Sequence, residues 1–259
     1  MVKAAKTPPA VRDQVSPEEW AIRVDLAAAY RLVAMYGWDD LIFTHLSARV
    51  PGPKHHFLIN PYQLMFEEIT ASSLVKIDVA GDPVVETPYI VNPAGFVIHS
   101  AIHMGRDDAH AVLHLHTPHG QAVSAMSEGL LPHTQTAMIA RHDVAYHEYE
   151  GIATDLEERA RLVEDLGDKN AMLLRNHGTL TVGETVGEAF LRMYFLERAC
   201  EAQVHMLSAG RENLHTPPQG SPEKVKEQSS GEGMKKLTQY LVWPALRRKL
   251  DRLDISYRD

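Results

Sequence analysis

Only one cysteine, Cys200, occurs in the chain, so no intrachain disulfide can form and the fold must hold by packing. A reducing, cytoplasmic setting suits such a chain. Basic charge is also in short supply. Lys and Arg number 26 against 34 Asp and Glu, a formal net charge of −8, which argues against DNA or RNA as the main partner, since phosphate neutralisation needs a basic face. No stretch has the apolar length needed to span a bilayer. Met1 to Val11 carries Lys and Pro without an apolar run, so no signal peptide is expected there. No internal repeat is visible. The hydrophobic share of 44% and charged share of 23% are those of an ordinary globular chain, which argues against disorder. At 259 residues, one domain with extensions is the expectation.

Residues 1–15 read as a loose arm, and 16–207 as the main domain. Ser16-Pro17-Glu18-Glu19 has the order of a helix start: a capping hydroxyl, proline in the first turn, then acids. Ile22, Leu26, Ala29, Tyr30 and Val33 follow at helical spacing, and Gly37 ends the helix. Short strand-like runs come next: Phe43 to Val50, His56 to Ile59, and Ser72 to Asp78, with a hairpin turn at Ala80-Gly81-Asp82. Gly95 to Met104 reads as a helix, Ala111 to His116 as a buried strand, and Thr117-Pro118 as the start of another helix. Ala171 to Leu174 and Thr179 to Val182 are further strands, and a long helix is predicted from Thr185 to about Ala209. The interleaving gives an α/β class. Several strands lie close in sequence, so the sheet is expected to be antiparallel or mixed. Residues 208–233 turn to Pro, Gly, Ser and charge and read as an extended surface segment. In 234–259, Pro244 predicts a kink, with a short final helix through Leu246, Leu250 and Leu253. That helix either completes the domain or docks on a neighbouring subunit.

The chemistry concentrates at His114 and His116. Residues two apart in a strand face the same side, so both imidazoles project together. His177, in the turn-like Arg175-Asn176-His177-Gly178, supplies a third nitrogen. Three histidines with one open position are the donor set of a catalytic zinc site, and Mn, Co or Ni would also be accepted. With 15 histidines in the chain, chance spacing is easy, so the apolar strand leading into the pair carries the reading. His99 and His103, four apart on a predicted helix, could share a metal or could hydrogen-bond between that helix and the sheet.

Five segments together resemble the class II aldolase/adducin family. They are Phe57-Leu58-Ile59-Asn60-Pro61; the run from Phe66 to Asp78; the run from Asn92 to His103; the run from Val112 to Gly120; and Leu174-Arg175-Asn176-His177-Gly178. The likeness is to the adducin-head-like branch more than to the sugar-phosphate aldolases. It implies a three-layer α/β/α fold with a central, largely antiparallel sheet, and a homotetramer with small-molecule clefts between subunits. It also implies a metal on His114, His116 and His177.

Departures from the aldolase pattern are specific. The acid/base glutamate of the aldolases falls at Gly95. Their Gly-Asn phosphate turn falls at Thr44-His45, ahead of Ser47-Ala48-Arg49. The tyrosine they borrow from a neighbour falls near Gln135 to Met138, where there is none. The resemblance therefore implies a metal-dependent lyase acting on a small hydroxy- or oxo-acid, with proton transfer from another group. Glu67, Glu68, His119 and Tyr146 are candidates by chemistry. The alternative is a non-catalytic, adducin-head-like scaffold.

Overall fold

The computed structural model describes residues 10–52, 55–151 and 157–259. In chain order its elements are α1 (Val11–Gln14), α2 (Pro17–Tyr36), β1 (His45–Arg49), β2 (Phe57–Ile59), β3 (Val75–Ile77), α3 (Pro93–Gly105), β4 (Ala111–Leu115) and α4 (Pro118–Ser124). Then come α5 (Gln135–Arg141), β5 (Val144–His147), α6 (Glu158–Leu166), β6 (Ala171–Leu174), β7 (Gly178–Gly183), α7 (Val186–Leu207), α8 (Ser221–Ser229), α9 (Glu232–Leu237) and α10 (Trp243–Leu253).

The strands form one sheet in the order β3-β2-β1-β4-β7-β6-β5. Every neighbouring pair is antiparallel except β5 with β6, which is parallel. Register assigns the faces, because directly paired residues share a side. One face carries His45 and Ser47 of β1, Val112 and His114 of β4, Leu180 of β7 and Met172 of β6. Ile98 and Ile102 of α3 and Leu162 and Leu166 of α6 pack on it. The other face carries Leu46, Leu113 and Leu115, under α2 and α7. Val123 of α4, Ala137 of α5 and Leu196 of α7 cover Leu173 on the same side. The result is the three-layer α/β/α arrangement.

Local chemistry sets the helix ends. Ser16 accepts the Glu19 N–H at 3.2 Å, and Gly37 leaves α2 in the left-handed region at φ +67°. Thr185 caps α7 in the same way, accepting from Glu188 N. Within α2, Leu26, Tyr30, Leu32 and Val33 are fully buried, and Leu26, Leu32 and Val33 each contribute about 1.5–3 kcal/mol of transfer free energy.

Three expectations change, and a fourth falls largely outside the described residues. The strand predicted from Phe43 begins only at His45, because Thr44 takes a left-handed φ of +69° and breaks the extended run. The arm over 1–15 falls largely outside the described residues, and its described end holds α1. Segment 208–233 is not simply extended: it contains α8 with Pro222 in its first turn, and the helical turn Arg211–Asn213. The kink expected at Pro244 is replaced by a π turn, Thr238–Val242, joining α9 to α10. A wider turn is one way to pass a residue that has no N–H to give.

The C-terminal segment packs on its own subunit. Trp243, Leu250 and Tyr257 join the core beneath α2, whereas Leu253 is 64% exposed. Ala71 N–H donates to the Tyr257 carbonyl at 3.0 Å, and Ser72 N–H to Asp259 at 2.8 Å, stitching the last residues to the turn before β3.

Candidate metal centre

The imidazoles of His114, His116 and His177 meet at one end of the sheet. Their ligand atoms all lie within 4.8 Å of one another, the one such group of three among the described residues. His114 stands inside β4, and His116 lies just past the strand's end. His177 reaches them from the tight β6–β7 turn, where Asn176 takes φ +56° and His177 N–H closes on the Leu174 carbonyl at 3.0 Å. Gly178 must be glycine there: a Cβ would lie 2.3 Å from the Leu115 carbonyl oxygen, so any side chain would push β7 off β4.

Hydrogen bonding fixes which nitrogens face inward. His114 donates Nδ1–H to the Thr179 carbonyl at 3.0 Å, and His116 donates Nδ1–H to the Asp40 carboxylate at 3.2 Å. A neutral imidazole has one N–H, so both Nε2 atoms carry lone pairs. Those Nε2 atoms are 3.0 Å apart, and the Nε2 of His177 is 2.9 Å from that of His116. Facing lone pairs repel unless a cation lies between them. The spacing is close to the roughly 3.3 Å between nitrogens bound to one tetrahedral zinc at about 2.0–2.1 Å. The donor set fits a divalent metal. Burial is the main cause that holds His114 well below the usual histidine range and His177 down to about 4, with the neighbouring imidazoles adding to it. Both are therefore neutral, as ligands must be.

A buried carboxylate supports the two segments that carry these histidines. Glu197 of α7, 3% exposed, accepts from the hydroxyls of Thr117 and Thr179, the latter at 2.7 Å. Thr117 follows His116 and caps α4 by accepting from Gly120 N–H at 3.0 Å. Thr179 offers its carbonyl to His114. Burial pushes the Glu197 carboxyl up to about 7, against the two hydroxyl bonds that lower it.

His99 and His103 lie outside the group. His103 donates Nδ1–H to the Ala109 carbonyl at 2.7 Å, so its Nε2 accepts from Ser47 at 2.7 Å. Ser47 in turn bonds His99 Nδ1 at 2.6 Å, tying α3 to β1. His119 is half-buried, with its ring centroid 5.4 Å from that of His205. Tyr146 is on the opposite sheet face from His114: it accepts from Leu130 N–H at 3.0 Å and lies under the Arg175 guanidinium. Glu67 is exposed beside Arg31, Asp39 and Leu250, and Glu68 is engaged by Met65 N–H at 2.8 Å. None of these four is brought into the histidine group. The residues that do support it, Asp40 and Glu197, were not singled out in the sequence. Glu197 left a trace: a charge one position from Leu196 on the buried stripe of α7.

Residues 24–204 match the family model described as the class II aldolase and adducin N-terminal domain. The chain belongs to the class II aldolase and adducin family. A Caulobacter vibrioides protein provisionally named an aldolase class 2 protein is 57% identical, covering 96% of each chain. A solved aldolase II superfamily protein from Pseudomonas syringae is 53% identical, with a TM-score of 0.90 over 97% of this chain and 100% of that one. Alpha-adducin of Mus musculus is 46% identical over 82% of this chain, which corresponds to 29% of the adducin. Family members thus carry both aldolase and adducin names. No helix among the described residues is long and apolar enough to cross a membrane.

Proposed function

We infer that this protein is a metal-dependent lyase acting on a small hydroxy- or oxo-acid, working as a cytoplasmic homotetramer with a cleft at each subunit interface. One observation carries the reading. Two of the three histidines have their outer nitrogens committed to fixed acceptors, Thr179 and Asp40, so their inner lone pairs converge on the point that His177 also faces. Pre-set tautomers of this kind are the outer support that metal-binding histidines use. Zinc suits an all-imidazole set first; cobalt, nickel and manganese remain open. When bound, the ion would polarise a substrate carbonyl as a Lewis acid.

The chain's own residues do the rest. His114, His116 and His177 would hold the ion, and Asp40 and Thr179 aim the first two. Glu197 keeps the Thr117 and Thr179 segments in place. His116 and His177 are only half-buried, so approach to the centre is past those two rings.

A second reading, an adducin-head-like scaffold, draws support from the 46% identity to alpha-adducin. A screen of zinc-, cobalt-, nickel- and manganese-loaded protein against short hydroxy-acids, read out as carbonyl product, separates the two. Metal-dependent product that vanishes in His116→Ala supports the lyase. A loaded protein that forms none across the panel favours the scaffold.

A further inference from the structure

His45 opens β1 directly opposite His114, on the same sheet face. It is 5% exposed, and its Nε2 is buried with no hydrogen-bond partner. Its ring meets His99 edge-on at 6.0 Å, a packing contact that leaves Nε2 unbonded. The preceding residue adds two anomalies. Thr44 is β-branched yet sits at φ +69°, where such side chains are strained, and its buried Oγ1 also lacks a partner. Backbone strain beside unpaired buried polar atoms is tolerated where a ligand completes the arrangement. The fold also makes room for this ring. A Cβ at Gly95 would lie 2.6 Å from His45 Cγ and Nδ1, so only glycine on α3 lets the imidazole stand where it does.

The chemistry of the missing partner is narrow. A neutral imidazole nitrogen is a donor or an acceptor according to tautomer, and a hydroxyl satisfies either. An anionic oxygen can only accept, and carrying its charge into a buried position costs far more than carrying in a hydroxyl. We propose that His45 is the specificity-setting residue of the metal cleft, its Nε2 hydrogen-bonding the hydroxyl of the small hydroxy-acid held there, with Gly95 as the space that ring requires. This rests on the metal-lyase reading.

The test uses zinc-loaded full-length protein titrated calorimetrically with glycolate and with acetate, which lacks the hydroxyl. Zinc is assayed in every sample first. Wild type prefers glycolate. His45→Ala cuts the glycolate-to-acetate preference roughly tenfold, the scale of one hydrogen bond, while zinc content and acetate affinity stay the same. His45→Gln, with an amide in place of the ring, retains part of the preference. Gly95→Ala, which drives a Cβ into the ring, gives the same loss with residue 45 intact. An unchanged preference in both His45→Ala and Gly95→Ala overturns the proposal and leaves water as the partner. Loss of zinc in His45→Ala also overturns it, placing the residue's effect on the metal. A wild type that takes up no zinc defeats the lyase reading before any ligand is added, and this inference with it.

Discussion

His116 and Asp40 are joined by a 3.2 Å hydrogen bond that decides which nitrogen His116 turns toward His114 and His177. Asp40 lies in the loop between α2 and β1, and its side chain is 43% exposed, so it contributes little to the core. Asp40→Ala should therefore weaken metal binding about 10–100-fold, the usual effect of losing such a partner, with little change in unfolding free energy. Chelator competition measures the first and urea denaturation the second. Undiminished metal affinity would show that the tautomer of His116 is set by something else.

Acid should destabilise the metal-free protein. Burial holds His45 and His103 down to about 3 and His177 to about 4, and keeps His99 and His114 well below 6.5. Below about 6.5 the unfolded chain takes up protons that the native chain refuses, so stability present above that pH is lost as pH falls toward the folded values. Glu197 works the other way. Its folded value of about 7 exceeds the ordinary glutamate value near 4.5, so it favours the fold at low pH and loses that contribution as pH rises through 7. Five histidines outweigh one glutamate, each adding up to about 1.4 kcal/mol per pH unit. Urea denaturation at pH 7 and pH 5 should show a clear loss at pH 5, made larger in Glu197→Gln. Equal stability at the two values would contradict the burial account.

Much of this was legible in the sequence because strong local signals agreed with tertiary structure. Ser16, Thr117 and Thr185 cap helices as their positions imply, and the apolar run before His114 is a central strand. What was missed lacked such signals. β5 is four residues long and forms the sheet's one parallel pair, so neither length nor a hairpin turn marks it. With β5 unrecognised, the face of Tyr146 could not be assigned, and its phenol was a candidate only by chemistry. α8 is too polar to stand out by periodicity and has no buried residue. His45 and Gly95 stood out separately, as departures from the aldolase pattern, but their contact across fifty residues and the register of His45 with His114 are tertiary facts that no local signal carries.

The C-terminal segment should be indispensable to the subunit. Trp243 stacks over Gly187, where a Cβ would meet its ring at 2.8 Å, and its indole N–H donates to Asp25 at 3.1 Å. Ending the chain after Gly233 removes Trp243, Leu250 and Tyr257 from the α2 core, a loss on the order of 3 kcal/mol or more for each large buried side chain. The truncated chain should lose its cooperative thermal transition in circular dichroism. A truncated protein that melts as wild type does would show that the tail is peripheral.

Sugar 1-phosphates should be poor substrates. The left-handed Thr44 and the buried His45 stand where the aldolase pattern has its Gly-Asn phosphate turn, and the His45 ring fills the space beside Gly95. A coupled assay on L-fuculose 1-phosphate with metal-loaded protein should show no turnover above the metal-free control. Efficient cleavage would mean that the site is an ordinary sugar-phosphate aldolase centre.

Metal content tests the central claim most directly. Plasma mass spectrometry of purified wild type and His116→Ala, each incubated with zinc and desalted, should find one divalent ion per wild-type chain. It should find little in the variant, which lacks the imidazole lying between the other two. Equal metal in both proteins, or none in either, would contradict a site built on His114, His116 and His177.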